Sequence, residues 1–210
     1  MVSELGVRPL RDLFYGYKSV VYRWRAGLAG ICRGSYVLVP LAVAAMVGVA
    51  IACSDDPEFT VGRGRVINLF LTDPVVAERV AFSDRQGRHR VIRSRASNRQ
   101  LVVVEVTIVN RTSIITPLLI DAEAAALGDR RGERVNALDP FASASVVDSA
   151  GLDENKFAPL LWGPVELERN FQATGWMIFD VPKGLTLGSL WWTEVESIVA
   201  DYVDYNRRRR

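Results

Sequence analysis

The chain has 210 residues, 49% of them hydrophobic, with 26 Lys and Arg against 24 Asp and Glu; this is room for one folded domain and an anchor. Its two cysteines, Cys32 and Cys53, flank one apolar stretch and leave no cysteine after residue 53, which excludes a disulfide scaffold or thiolate zinc site there. Charge divides at that stretch: residues 1–34 carry six basic and two acidic side chains, a net +4, and residues 54–210 carry the remaining 20 basic and 22 acidic ones, a net −2.

In chain order, residues 1–34 form an arm. Leu10, Leu13, Phe14, Tyr17, Val20, Val21 and Trp24 repeat at helical spacing, which predicts an amphipathic helix over residues 9–25 with Pro9 at its first position. Its apolar stripe suits the cytoplasmic headgroup zone or another subunit's helices. Leu10, Leu13, Phe14, Tyr17, Val21 and Trp24 are therefore candidate contacts to a membrane or partner.

Residues 35–53 follow as an expected transmembrane helix. Tyr36 to Cys53 holds no charged side chain, and eighteen helical residues span about 27 Å, close to the bilayer's hydrocarbon core. The positive-inside rule puts the N-terminus in the cytoplasm and the rest outside the cell membrane. The same residues also read as a lipidation signal, Val49-Ala50-Ile51-Ala52-Cys53, in which Cys53 is lipidated and the leader removed. The favoured reading is a retained single-pass helix.

An acidic linker, 54–58, precedes the domain expected over 59–206, and a basic tail, 207–210, ends the chain. Phe59 to Leu71 reads as a first strand with a bulge at Gly62 or Gly64. Arg79 to Arg99 concentrates eight basic or imidazole side chains against Asp84, and Asp84 to Gly87 reads as a hairpin turn. This basic segment is either a solvated face or a surface for anionic headgroups or an acidic partner. Leu101 to Asn110 is the clearest strand, with Val102, Val104, Val106 and Ile108 on one face and the other face half polar. Leu118 to Leu127 reads as one further strand, Asp139 to Asn155 as a long connection, and Gly188 to Tyr205 as a final strand or pair of strands. In Trp191-Trp192 one ring must face the core, leaving Trp191 as a candidate partner contact.

Two patterns stand out: VTIVN ending at Asn110, and Gly175-Trp176-Met177-Ile178-Phe179-Asp180-Val181-Pro182. Together they resemble the immunoglobulin-like extracellular domains of unknown function found in bacterial lipoproteins and single-span proteins. The resemblance implies an immunoglobulin-like β-sandwich over roughly residues 60–205 and carries no catalytic residues. This chain has Arg169-Asn170 where those domains usually turn with an acid-Pro-Gly sequence.

His89 is the sole histidine, and no nucleophile, phosphate-loop or metal-ligand motif accompanies it. Glu166 with Glu168, and Glu194 with Glu196, read as solvated strand faces. The fold class expected is mainly β, an immunoglobulin-like sandwich after an amphipathic helix and a transmembrane helix. The expected function is non-catalytic and without cofactor or metal: an accessory or stabilising subunit of a larger membrane complex, with other membrane subunits and the bilayer as partners and no nucleic acid. The alternative is an envelope lipoprotein or receptor, lipidated at Cys53, that binds a peptide or small ligand.

Overall fold

The computed structural model describes residues 8–9, 59–149 and 151–202. The expected membrane segment 35–53, the linker, the basic tail and all of the arm except residues 8–9 lie outside these residues. Among the described residues no helix is long and apolar enough to cross a membrane.

The fold is mainly β. Its strands in chain order are β1 (Arg8–Pro9), β2 (Thr60–Arg63), β3 (Ile67–Leu71), β4 (Val75–Ala77), β5 (Arg79–Ser83), β6 (His89–Arg93), β7 (Arg99–Asn110), β8 (Ile115–Ile120), β9 (Ala125–Asp129), β10 (Arg134–Asn136), β11 (Ser145–Val146), β12 (Gly163–Glu168), β13 (Phe171–Pro182), β14 (Leu187–Trp192) and β15 (Ile198–Asp201), with one helical turn, α1 (Pro140–Ser143), before β11. The largest sheet runs β1-β13-β7-β3-β2, with β4 also on β7; the others run β10-β9-β14-β15, β11-β6-β5 and β12-β8.

The spine is the antiparallel pair β7–β13, in register from Gln172↔Val109 to Pro182↔Arg99. Alternation sends Val102, Val104, Val106 and Ile108 of β7, with Met177, Phe179 and Val181 of β13, into one core. There they meet Leu127, Leu190, Trp192 and Ile198 from the β9-β14-β15 sheet, and Leu118, Val165 and Leu167 from β8 and β12. This is the packing of a β-sandwich. The opposite face of β7 and β13 is not half polar throughout: Leu101, Val103 and Ile178 are buried under Val80, Phe82 and Ile92 of the β5–β6 hairpin, with Phe157. That hairpin adds a third layer over one half of the spine.

Three expected elements are corrected. Phe59 to Leu71 is a hairpin, β2–β3, rather than one bulged strand. Leu118 to Leu127 belongs to two strands in different sheets, because the Asp121 carboxylate accepts the N–H groups of Glu123 and Ala124 and turns the chain. Pro9 ends a short strand on β13, where Arg8 pairs with Gln172 and Pro9 with Phe171, and does not open a helix. An edge strand tolerates this, since proline forfeits only one donor there. A chain crossing a bilayer once over 35–53 holds residues 8–9 and the domain on opposite sides. The β1–β13 pairing and a single-pass topology therefore exclude each other within one chain.

Both sequence motifs have physical reasons. A Cβ on Gly175 would lie 2.9 Å from the carbonyl oxygen of Pro159 and 3.0 Å from Leu161 Cβ. Only glycine lets residues 159–161 bond to β13, with Leu161 N–H to Trp176 O at 3.0 Å and Trp176 N–H to Pro159 O at 2.8 Å. Asn170, at φ 65°, takes the left-handed turn conformation that asparagine tolerates, and so replaces the expected acid-Pro-Gly turn.

Candidate interaction surface

Let the upper end of the sandwich be that of Asn110 and the lower end that of Arg99. The upper end gathers the β2–β3 turn, the β7–β8 turn at 111–114, the β12–β13 turn and the loop at 193–197. Asn110 is fully buried, and its side chain is fully used. The amide nitrogen donates to Leu167 O at 2.8 Å and Ser113 O at 2.9 Å, and its oxygen accepts Ser113 N–H at 3.1 Å. Its backbone oxygen accepts Asn170 N–H at 2.9 Å. One buried amide thus fixes β7, β8 and β12 relative to each other, an arrangement that is stable only because every polar atom is satisfied.

The loop between β14 and β15 clamps the same end. The Glu196 carboxylate accepts three successive backbone N–H groups of the β2–β3 turn: Arg65 at 2.7 Å, Val66 at 2.8 Å and Ile67 at 2.9 Å. A Cβ on Gly64 would collide with that carboxylate. Partial burial pushes the Glu196 carboxyl upward, but the hydrogen bonds from Ile67, Arg65 and Val66, with the Arg65 charge, hold it below the usual range. Glu194 accepts Leu119 N–H at 3.0 Å, and its backbone oxygen takes the Trp192 indole N–H at 2.8 Å. Between the two glutamates Val195 stands at φ 68°, a conformation costly for a β-branched side chain and kept by the bonds on either side. The expectation that Glu194 and Glu196 line a solvated face is corrected: both cap distant backbone amides.

These contacts hold apolar side chains outward. On β8, Thr116, Leu118 and Ile120 are buried while Ile115, Pro117 and Leu119 are exposed. On the same outer face of β12, the register partners of Leu119, Pro117 and Ile115 are Pro164, Glu166 and Glu168, all exposed. An apolar row lies beside an acidic one. Ile114, 75% exposed, and Val195, 47% exposed, extend the apolar row, with Ile114 fixed by Arg169 N–H to its oxygen at 3.0 Å. The outer edge of β8 offers little to a strand, since Pro117 has no N–H and Leu119 N–H is taken by Glu194. What lies open to contact here is a face, not an edge.

Of the sequence-derived candidates, Leu10, Leu13, Phe14, Tyr17, Val21, Trp24 and Cys53 lie outside the described residues. Trp192 is in the core and Trp191 is half-buried on the outer face, with the Arg134 guanidinium 3.6 Å from its ring centroid. The basic segment 79–99 is largely paired. Asp84 takes Arg90 Nε at 2.8 Å and Arg88 Nη2 at 2.9 Å. Desolvation pushes Asp84 upward, but bonds from the Arg90 side chain, the Arg88 and Gln86 N–H groups and the Arg88 guanidinium hold it well below the carboxylate range. Asp180, buried on β13, is 3.1 Å from Arg99 Nε and 3.9 Å from Arg95 Nε.

His89 is not an isolated surface histidine. Its Nδ1 lies 2.6 Å from Glu154, which also accepts the Ser83 hydroxyl. The Ser83 and His89 hydrogen bonds and the His89 charge hold the Glu154 carboxyl below its usual range, against some desolvation. Ser83 bonds the carboxylate, not the imidazole, so the trio lacks the nucleophile–base contact of a hydrolase. Its work is to strap residues 153–155 to β5, with Asn155 N–H bonded to Ala81 O at 2.9 Å and Asp153 3.6 Å from Arg79. Sequence reading named both Glu194 and Glu196 and both Asn110 and Asn170, but not their partners. Among the described residues, no group of three potential metal ligands comes together.

No protein-family model matches the chain, and no curated protein matches it. Among solved structures, a candidate lipoprotein of Bacillus subtilis, ycdA, is 16% identical over 66% of this chain and 34% of its own, with a TM-score of 0.42. A conserved hypothetical protein of Bacillus anthracis is 12% identical over 69% of this chain and 93% of its own, with a TM-score of 0.41. The chain spans about a third of the length of the Bacillus subtilis protein.

Proposed function

We propose that this chain is a membrane-tethered, non-catalytic binding protein of the cell envelope, whose immunoglobulin-like sandwich holds a recognition face away from its anchor. The observation that carries the reading is the outer face of β8 and β12: exposed Ile115, Pro117 and Leu119 beside Glu166 and Glu168, positioned by Asn110 and Glu194. Rigid presentation of a small apolar row lowers the ordering cost of binding. The acidic row sets the partner's chemistry: another protein subunit, presenting apolar side chains flanked by Lys or Arg.

The experiment is co-purification of the full chain after mild detergent extraction. A stoichiometric companion is expected, retained on the native chain and lost from a Leu119→Asp variant that still folds. A chain that purifies alone, or a companion that survives Leu119→Asp and Ile115→Asp, overturns this face as the contact. Loss of the companion on changing Leu13, Phe14 and Tyr17 to Ser places the contact on the arm instead.

The tether has two readings. A retained span over 35–53 keeps an accessory subunit in its complex, while lipidation at Cys53 makes the chain an envelope lipoprotein. The β1–β13 pairing does not choose between them, because a span divides residues 8 and 9 from the domain by a bilayer and leader removal deletes them. Metabolic labelling with palmitate decides: label on a shortened chain means lipidation, and an unlabelled full-length chain means a span.

A further inference from the structure

We infer that the lower end of the sandwich rests on an anionic lipid surface, leaving the acidic, apolar upper end to face outward. The inference builds on the tethered reading above. It starts from where the chain enters and leaves the domain. A Cβ on Gly62 would touch Ile198 and Ala200, and one on Gly64 would touch Glu196 and Ile198, so β2 and β15 lie side by side and run in opposite directions. β2 runs toward the upper end, with Ile67 beyond it paired to Asn110. β15 runs away from that end to Asp201, opposite Ser189. The entry at Phe59 and the exit at Tyr202 therefore both point toward the lower end. Six residue steps separate Cys53 from Phe59, which limits the reach to about 20 Å fully extended.

Charge agrees with this direction. The turns of the lower end are 94–98, 130–133 and 183–186, joined by Lys183 N–H to Asn98 O at 2.9 Å and by the Asp129↔Leu187 pair. They and the strand ends beside them carry Arg93, Arg95, Arg99, Lys183, Arg130 and Arg131 against Asp129, Glu133, Asp180 and Asp201. Asp180 pairs with Arg99, so these two charges offset each other, and the Asp129 carboxylate accepts the N–H groups of Arg131 and Glu133 at 2.8 and 2.9 Å. Beyond Tyr202 the sequence adds Arg207 to Arg210 with Asp204. Asp55, Asp56 and Glu58 of the linker are of the opposite sign in the sequence. The upper-end turns and the strand ends beside them reverse the balance, with Arg63, Arg65, Arg111 and Arg169 against Asp121, Glu123, Glu168, Glu194 and Glu196. A cation is attracted to an anionic leaflet and the attraction fades within a Debye length, so a difference of a few charges orients a short-tethered domain.

Hydrogen exchange on the full chain in lipid nanodiscs tests this, comparing phosphatidylcholine alone with a mixture containing about 30% phosphatidylglycerol. Amides of residues 94–99, 130–134 and 183–186 are expected to exchange about twofold or more slowly over the anionic lipid, and the effect to vanish at about 0.5 M salt. Amides of 111–114 and 193–197 serve as the reference and stay unchanged. The variant carrying Arg130→Glu, Arg131→Glu and Lys183→Glu loses the difference while its β7 amides keep native protection. Equal exchange in the two lipids, slowing at the upper end instead, or slowing in neutral lipid only with a companion protein bound overturns the inference but leaves the tether intact. A chain that does not incorporate into the discs overturns the tether reading and this one with it.

Discussion

The two ends of the sandwich are built on different principles. At the upper end, side chains reach across the molecule to backbone groups: Asn110 joins β7 to β12, and Glu196 crosses from the β14–β15 loop to the β2–β3 turn. At the lower end Asp129 closes its turn locally over residues 131 and 133, the contacts between turns are fewer, such as Lys183 N–H to Asn98 O, and Arg130, Arg131 and Lys183 are left exposed. The first construction fixes shape and suits recognition of a partner's contour. The second fixes little shape and presents charge, which acts at a distance and needs no fit.

If that division holds, substitutions at the upper end change stability and those at the lower end do not. The largest effect is expected for Asn110→Leu, which removes both donors and the acceptor from a buried site. Roughly 2 to 4 kcal/mol of stability should be lost, read from the denaturation midpoint. A midpoint shift within about 0.5 kcal/mol would show that Asn110 is a passenger.

Glu196→Ala should cost roughly 1 to 2 kcal/mol, discounted because the carboxylate is only partly buried. Glu196→Gln keeps one acceptor oxygen and should recover part of it. The same residue predicts a pH dependence. Its carboxyl is held down in the folded protein, so its contribution is complete above its ordinary range, about pH 4.5, and declines as pH falls through the folded value. Stability plotted against pH should fall less steeply below about pH 4.5 in Glu196→Gln than in the native chain; coincident slopes would remove Glu196 as a titrating clamp.

Glu166→Gln with Glu168→Gln should move stability by less than about 0.5 kcal/mol yet weaken partner capture in the co-purification above. Smallest of all, Arg130→Ser with Arg131→Ser should leave the midpoint unchanged within about 0.5 kcal/mol. A large loss there would mean that the lower end too is held by long-range contacts.

What sequence could reveal follows from how local each cause is. β7 was legible because its two-residue alternation is written in consecutive residues, and β13 because Met177, Phe179 and Val181 alternate before a proline. The β2–β3 turn was not, because Gly64 is required by Glu196, 132 positions away. The break at Asp121 has a local signal: a lone acidic side chain able to bond forward to its own backbone. The outer face of β8 and β12 is half visible in the sequence. Leu118 to Leu127 reads as one strand, but its outward row belongs to β8 alone, and its acidic neighbours lie on β12, nearly fifty residues later. Glu166-x-Glu168 and Glu194-x-Glu196 look alike in sequence. One pair faces water and the other grips backbone amides, a difference set by what folds opposite them.

The bonds that residues 159–161 make to β13 have a consequence for solubility. That strand runs twelve residues, long enough to template cross-molecular pairing if its outer edge were bare. Leu161 and Pro159 bond at Trp176, and Leu138 N–H bonds Ile178 O at 2.7 Å, so short pieces of irregular chain cover the middle of that edge. Gly175, by admitting them, acts as a safeguard against aggregation.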